Sequence, residues 1–133
     1  MRTQTLSFTT DHPQQMVDIT GEIRKVLKDS GVTTGAASIF VPHTTAGVTL
    51  NENADPNVRT DLLAALDALA PVQANYLHAE GNSHAHIKAT LVGSSVHIFV
   101  ETGQLMLGTW QGVFLCEFDG PRTRNVLVRV TGS

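Results

Sequence analysis

Pro42-His43-Thr44-Thr45-Ala46-Gly47-Val48-Thr49-Leu50-Asn51-Glu52-Asn53-Ala54-Asp55-Pro56 is the stretch on which the reading of this chain turns. Before it, Ala36 to Val41 is an apolar run of strand length. After it, Asp55-Pro56 has the form of a helix start, a carboxylate cap followed by proline at the first helical position. Between them lie one imidazole, three hydroxyls, two amides and two carboxylates. The Thr, Val and Leu residues among them favour strand, which predicts ordered backbone beneath this polar content. Chemistry held between two core-building elements marks one wall of a site.

Working outward towards the N-terminus, Thr5-Leu6-Ser7-Phe8-Thr9 alternates with period two and predicts a first strand. Asp11-His12-Pro13 turns the chain. Met16, Ile19, Ile23, Val26 and Leu27 then recur at helical spacing as far as a stop at Ser30-Gly31. A second strand is expected from Ala36 to Thr45, with Ile39, Val41, His43 and Thr45 on one face, and a separate strand from Gly47 to Glu52. Working outward towards the C-terminus, Val58, Leu62, Leu63, Leu66 and Leu69 form the apolar stripe of a second helix that Pro71 ends. Val72 to Gly81 is irregular. Asn82 or Ser83 caps a short third helix, His84 to Val92, closed by Gly93. Ile87 and Leu91 mark its buried stripe, with His86 beside that stripe and His84 directed elsewhere. The last third alternates as antiparallel strands around Val96 to Glu101, Val113 to Phe118 and Asn125 to Val130. Helices mixed irregularly among such strands predict an α+β fold: one compact domain over residues 1–133, a mostly antiparallel sheet and about three helices.

A chain of 133 residues can bury a proper core without staples. Its net charge of −3, with both signs interspersed, argues against a nucleic-acid footprint or a basic membrane-binding face. There is no apolar run of membrane-spanning length and no signal peptide, and the lone Cys116 cannot form an intrachain disulfide, which together predict a cytoplasmic protein. Walker A, dinucleotide-fingerprint, G-x-S-x-G and paired C-x-x-C motifs are absent from the sequence, which excludes several large enzyme classes at the motif level.

Six histidines stand out against five phenylalanines and one tyrosine. His43, His78 and His86 are candidate ligands for zinc or a similar divalent ion, because three neutral imidazoles leave an open coordination position. Each also has an ordinary explanation as a hydrogen-bonded histidine, and no two of the three show helical ligand spacing. Asn51, Glu52 and Asp55 can serve a hard cation such as Mg²⁺ or act in acid–base chemistry, with Asp55 equally explained as a helix cap. Gln111, beside Trp110 between glycines, can orient a ligand. Arg122 and Arg124, after a turn, suit an anionic partner or a solvated surface equally.

Five segments together, His43-Thr44-Thr45-Ala46-Gly47, Asn51 to Pro56, His86-Ile87-Lys88-Ala89, Leu107-Gly108-Thr109-Trp110-Gln111 and Glu117 to Arg122, closely resemble the YjbQ family, widely labelled secondary thiamine-phosphate synthase. The resemblance spans nearly the whole chain. It implies a homotrimer with a pocket near a subunit boundary, and the long apolar sheet face of Val96, Ile98, Val100, Val113, Leu115, Val126, Val128 and Val130 is expected to lie in part near the threefold contact. It also implies an activity joining a hydroxymethylpyrimidine diphosphate to a thiazole phosphate with release of pyrophosphate. His43, His78 and His86 match the family's histidines, and His84 has no counterpart in the pattern. In this reading a phosphorylated small metabolite is met by Thr44, Thr45, Lys88, Gln111 and Arg122. Asn51, Glu52, Asp55 and Glu117 are the candidate catalytic groups, and zinc at the histidines or Mg²⁺ with the diphosphate is the expected cofactor. The alternatives are a metal-dependent hydrolase, with Glu52 or Glu117 as base, and a binding trimer without turnover.

Overall fold

The computed structural model describes residues 3–133 and pairs two antiparallel sheets around a shared core. Its elements in chain order are β1 (Thr3–Thr9), β2 (Gln15–Asp18), α1 (Thr20–Ser30), β3 (Gly35–Phe40), β4 (Ala46–Glu52), α2 (Pro56–Leu69), α3 (Ser83–Val92), β5 (Ser95–Glu101), β6 (Gln104–Leu105), β7 (Gln111–Glu117) and β8 (Thr123–Gly132). The larger sheet has the order β1-β8-β3-β5-β6, and the smaller one β2-β7-β4. Every strand pair is antiparallel, so the architecture is α+β, with mostly antiparallel sheet and three helices.

Strand alternation sorts the core into layers. Ile39, Ile98, Val100, Val126 and Val128 of the larger sheet meet Val48, Val113 and Leu115 of the smaller one. Ile23 and Leu27 of α1 join the same cluster, and Gly31 at φ 72° ends that helix in the left-handed region. Phe114, Cys116 and Phe118 project from the other side of the smaller sheet, where Leu62, Leu63 and Leu66 of α2 and Ala85 and Ala89 of α3 cover them. Among the described residues no helix is long and apolar enough to cross a membrane.

Four expectations are corrected. The helical spacing from Met16 overreached: Gln15–Asp18 is a strand paired with β7, and Asp18 begins α1 by accepting from the Thr20 amide and hydroxyl at 3.0 and 2.6 Å. The strand from Ala36 stops at Phe40, because Pro42 has no N–H to give a ladder, so His43 lies on the connection to β4. The inward face of α3 is the reverse of the one expected. His84, Ala85, Lys88 and Ala89 are buried, while Ile87 and Leu91 are exposed. Finally, the apolar residues of the last third do not form an open sheet face: Ile98, Val100, Val113, Leu115, Val126, Val128 and Val130 are all interior.

Candidate functional site

His43, Thr44 and Ala46 come from the β3–β4 connection and the start of β4; His86, Ala89 and Thr90 come from α3, with Gly93 and Ser94 just beyond it. These residues line a cavity of about 480 Å³. The two segments are held together by backbone: the Val41 amide donates to the Ser94 carbonyl at 2.8 Å, and the Val48 amide to the Gly93 carbonyl at 3.0 Å. His43 is fixed from a third side, because its Nε2 accepts from the Asn125 amide at 2.9 Å. A neutral His43 ring therefore carries its proton on Nδ1. Burial lowers the His43 pKa from its ordinary value, and the charges of Arg124 and Arg122 lower it further, against the charge of Glu117.

His86 also faces a second cavity, of about 400 Å³, with Tyr76, Leu77, His78, Ser83 and Ile87. There its ring meets His78 edge-on, with centroids 5.4 Å apart and planes at 88°. The Tyr76 hydroxyl donates to the Pro71 carbonyl at 2.5 Å and steadies the irregular segment, and His78 lies 3.7 Å from Glu80. His86 is consequently the shared member, flanked by His43 in one cavity and His78 in the other. Among the described residues no three His, Cys, Asp or Glu side chains are grouped to hold a metal ion. The three imidazoles of one chain do not fit a common cation in this arrangement.

Several candidates prove to be committed inside the protein. Glu117 is buried against Arg124, whose Nε lies 2.9 and 3.1 Å from its two carboxylate oxygens and whose Nη2 also donates to it. Thr10 Oγ1 and the Asp119 amide complete the carboxylate's contacts at 2.8 and 3.0 Å. Burial pushes the Glu117 pKa up, but the Arg124, Asp119 and Thr10 contacts outweigh it and leave a net lowering. A carboxylate so paired is structural. Thr45 is buried and accepts from Arg124 at 2.8 Å. Lys88 is fully buried, with Nζ 2.5 Å from Asp67 and 2.8 Å from His84 Nδ1. Arg122 is half-exposed and bonds Asp119 through its backbone oxygen at 2.9 Å and its carboxylate at 3.0 Å.

The remaining candidates gather at the opposite end of β4. Asn51 Oδ1 accepts from the Glu52 amide at 2.7 Å, Glu52 is paired across the sheet with Gln111, and Gln111 Oε1 accepts from the Gly108 amide at 2.8 Å. Asp55 caps α2 by accepting from the Asn57 amide at 2.9 Å. The buried Arg124–Glu117 pair and the Asp67–Lys88–His84 chain were not foreseen. The first had a visible signal: Arg124 shares strand phase with Val126, Val128 and Val130, all interior. The second had none, because Asp67 and Lys88 belong to different helices.

Comparison with known proteins agrees with this architecture. Residues 4–133 match the family described as UPF0047 protein YjbQ-like. The UPF0047 protein YugU of Bacillus subtilis is 49% identical over 130 residues, covering 97% of this chain and 98% of its own length. A UPF0047 protein of Methanocaldococcus jannaschii is 50% identical over 123 residues, covering 92% and 89%. Among solved structures, a YjbQ/UPF0047 family protein of Clostridium acetobutylicum superposes with a TM-score of 0.95 at 52% identity, covering 96% of this chain and 99% of that one. A protein of Aeropyrum pernix does so with a TM-score of 0.96 at 36% identity over the whole of both chains. With its fold and nearly its whole length matched, the chain belongs to the YjbQ/UPF0047 family.

Proposed function

We propose that the His43–His86 cavity binds a phosphorylated small metabolite and that the protein has thiamine-phosphate-synthase-like activity. The observation that carries this reading is the pair of imidazoles, His43 and His86, facing one cavity. In the reaction, the thiazole nitrogen forms a bond to the pyrimidine methylene carbon as the carbon–oxygen bond to pyrophosphate breaks. The departing oxygens carry the electron pair and need hydrogen-bond donors. His43, through Nδ1–H, is such a donor, and His86 and the Thr44 hydroxyl stand beside it in the cavity. Lys88 and Glu117 have internal partners and take no part in this assignment. A divalent cation enters only if His78 and His86 share it with groups from outside the chain, so no step is routed through one. We also assign the protein to a homotrimer, with exposed Phe40, Phe99 and Met106 as the apolar contact surface.

The internal commitment of Glu117 favours a second reading, a binding protein without turnover, because it removes the buried carboxylate from service as a base. One experiment separates the two. Purified protein is incubated with hydroxymethylpyrimidine diphosphate and thiazole phosphate, with and without added Zn²⁺ or Mg²⁺, and thiamine phosphate is measured. Synthase activity predicts product formation that His43→Ala and His86→Ala each reduce by at least tenfold. A native-state ligand also raises the melting temperature. Melting-temperature shifts without product would establish the binding reading, and neither response would reject the site.

A further inference from the structure

Arg59 is a cation that forms no ion pair among the described residues. It lies in the first turn of α2, with its guanidinium carbon 5.1 Å from the centre of the Phe114 ring. Phe114 is wholly buried on the helix-facing side of the smaller sheet, so the guanidinium is desolvated on one face. None of the ion pairs formed among the described residues includes Arg59. Its Nε–H is out of water and meets no acceptor. An orphaned buried donor carries a desolvation cost, and more so when the group is charged. The contrast with Arg124 is instructive: there the fold provides a carboxylate, a hydroxyl and a carbonyl.

Strand pairing places further donors on the Phe114 side of the sheet. Thr49 is paired with Phe114 across β4 and β7, and Asn51 follows two residues along, opposite Gly112. Paired residues share a face of the sheet, so the Thr49 hydroxyl and the Asn51 amide lie on the same side as Phe114. Asn51 spends its Oδ1 on the Glu52 amide, which leaves its NH₂ to be offered. On the other flank the Asp18 carboxylate, on the residue paired with Phe114, accepts from the Thr20 amide and hydroxyl and makes no ion pair with Arg59. The first turn of α2 contains no acidic residue.

We propose that Arg59, Thr49 and Asn51 form a site for a phosphate-type oxyanion, separate from the His43–His86 cavity. The two are spaced along β4: Ala46 lines the first and Thr49 stands three residues on, roughly 10 Å away at strand rise. Between them the Val92–Gly93 segment closes over Gly47. A planar guanidinium forks onto two phosphate oxygens, and the hydroxyl and amide reach a third.

The test is calorimetric titration with inorganic phosphate, and in a parallel arm with glycerol phosphate, at low ionic strength and pH 7. We expect a saturable phosphate site that persists in His43→Ala, weakens at least tenfold in Arg59→Gln and weakens less in Arg59→Lys, which keeps the charge but not the fork. Thr49→Val should weaken it by a few-fold. Tighter binding of glycerol phosphate would identify a phosphate ester as the occupant, and tighter binding of inorganic phosphate the free ion; either supports the site. If Arg59→Gln does not fold, as judged by its melting curve, Arg59→Lys and Thr49→Val carry the measurement. Absence of binding at millimolar phosphate, or equal binding by wild type and the Arg59 variants, would overturn the proposal. So would a change in subunit number by light scattering in Arg59→Gln with phosphate binding intact, because a neighbouring copy would then be the partner of the guanidinium.

Discussion

Lys88 and Asp67 are unequal partners, and the inequality predicts which half of the pair the fold depends on. Lys88 is fully buried, whereas the Asp67 side chain is 46% exposed and also accepts from Gln14 at 3.1 Å. Removing the carboxylate strands an ammonium in the interior, with only His84 Nδ1 to accept from it. Removing the ammonium returns Asp67 to water. Asp67→Ala should therefore cost about 3 kcal/mol and Lys88→Met only about 1 kcal/mol. Urea unfolding measures both, and a larger loss for Lys88→Met would reverse the argument. The same cluster gives a pH dependence. Burial and then the Lys88 charge lower the His84 pKa, so the folded protein resists a proton that the unfolded chain accepts below its ordinary value of 6.5. The stability lost as pH falls from 7 to 5 comes from this ring, with His43 acting in the same direction. Asp67, lowered chiefly by its Lys88 contact, adds a further loss below the carboxylate range. His84→Gln keeps an acceptor for Lys88 but does not titrate, so its melting temperature should fall less steeply between pH 7 and 5. An unchanged slope would place the acid sensitivity elsewhere.

Between elements, the closest approach at the site is that of β4 to the end of α3. A Cβ added at Gly47 would stand 2.6 Å from the Gly93 carbonyl oxygen and 3.1 Å from a Val92 methyl. The first neighbour is backbone and cannot swing aside. Gly47→Ala should therefore destabilise the fold by about 1–3 kcal/mol and widen the His43–His86 cavity. Chemical denaturation reads the first effect, and weaker binding of phosphorylated ligands the second. A neutral outcome in both would show that the helix end yields freely. This contact also explains what could be read from sequence and what could not. Alternation and caps located β4, α2 and β5 well, because those signals are local: Asp55 and Pro56 lie where the cap and the first turn are. Ile87 and Leu91 suggest the wrong buried face for α3, because the burial of Lys88 on the other face depends on Asp67, twenty-one residues earlier, and on His84. The site shows the same division. His43, Thr44 and His86 were legible as motif residues, while the separate settings of His78 and His43 around His86 depend on packing that no spacing encodes.

For the whole molecule, two facing sheets consume almost all the apolar strand residues, which leaves a short account of what lies outside. On the outer face of the larger sheet Phe40 and Phe99 remain 44% and 68% exposed, and Met106, whose amide donates to the Phe99 carbonyl at 2.8 Å, is 56% exposed. Leu127, paired with Phe40, is only partly covered, and Ser38 and His97 bond at 3.0 Å between the two aromatic positions. Large apolar side chains clustered on one sheet face beside polar groups are the composition of an association surface. The contact predicted from the apolar last third was therefore assigned to the wrong side of the strands, since those valines and leucines are spent inside. The prediction moves to the opposite face. Light scattering at micromolar concentration should give three times the 14.3 kDa chain mass. Because Phe40 and Phe99 point away from the internal core, Phe40→Glu combined with Phe99→Glu should yield a folded monomer with an unchanged far-ultraviolet spectrum. A wild-type monomer would refute the trimer, and a trimer that survives both substitutions would move its contact off this sheet.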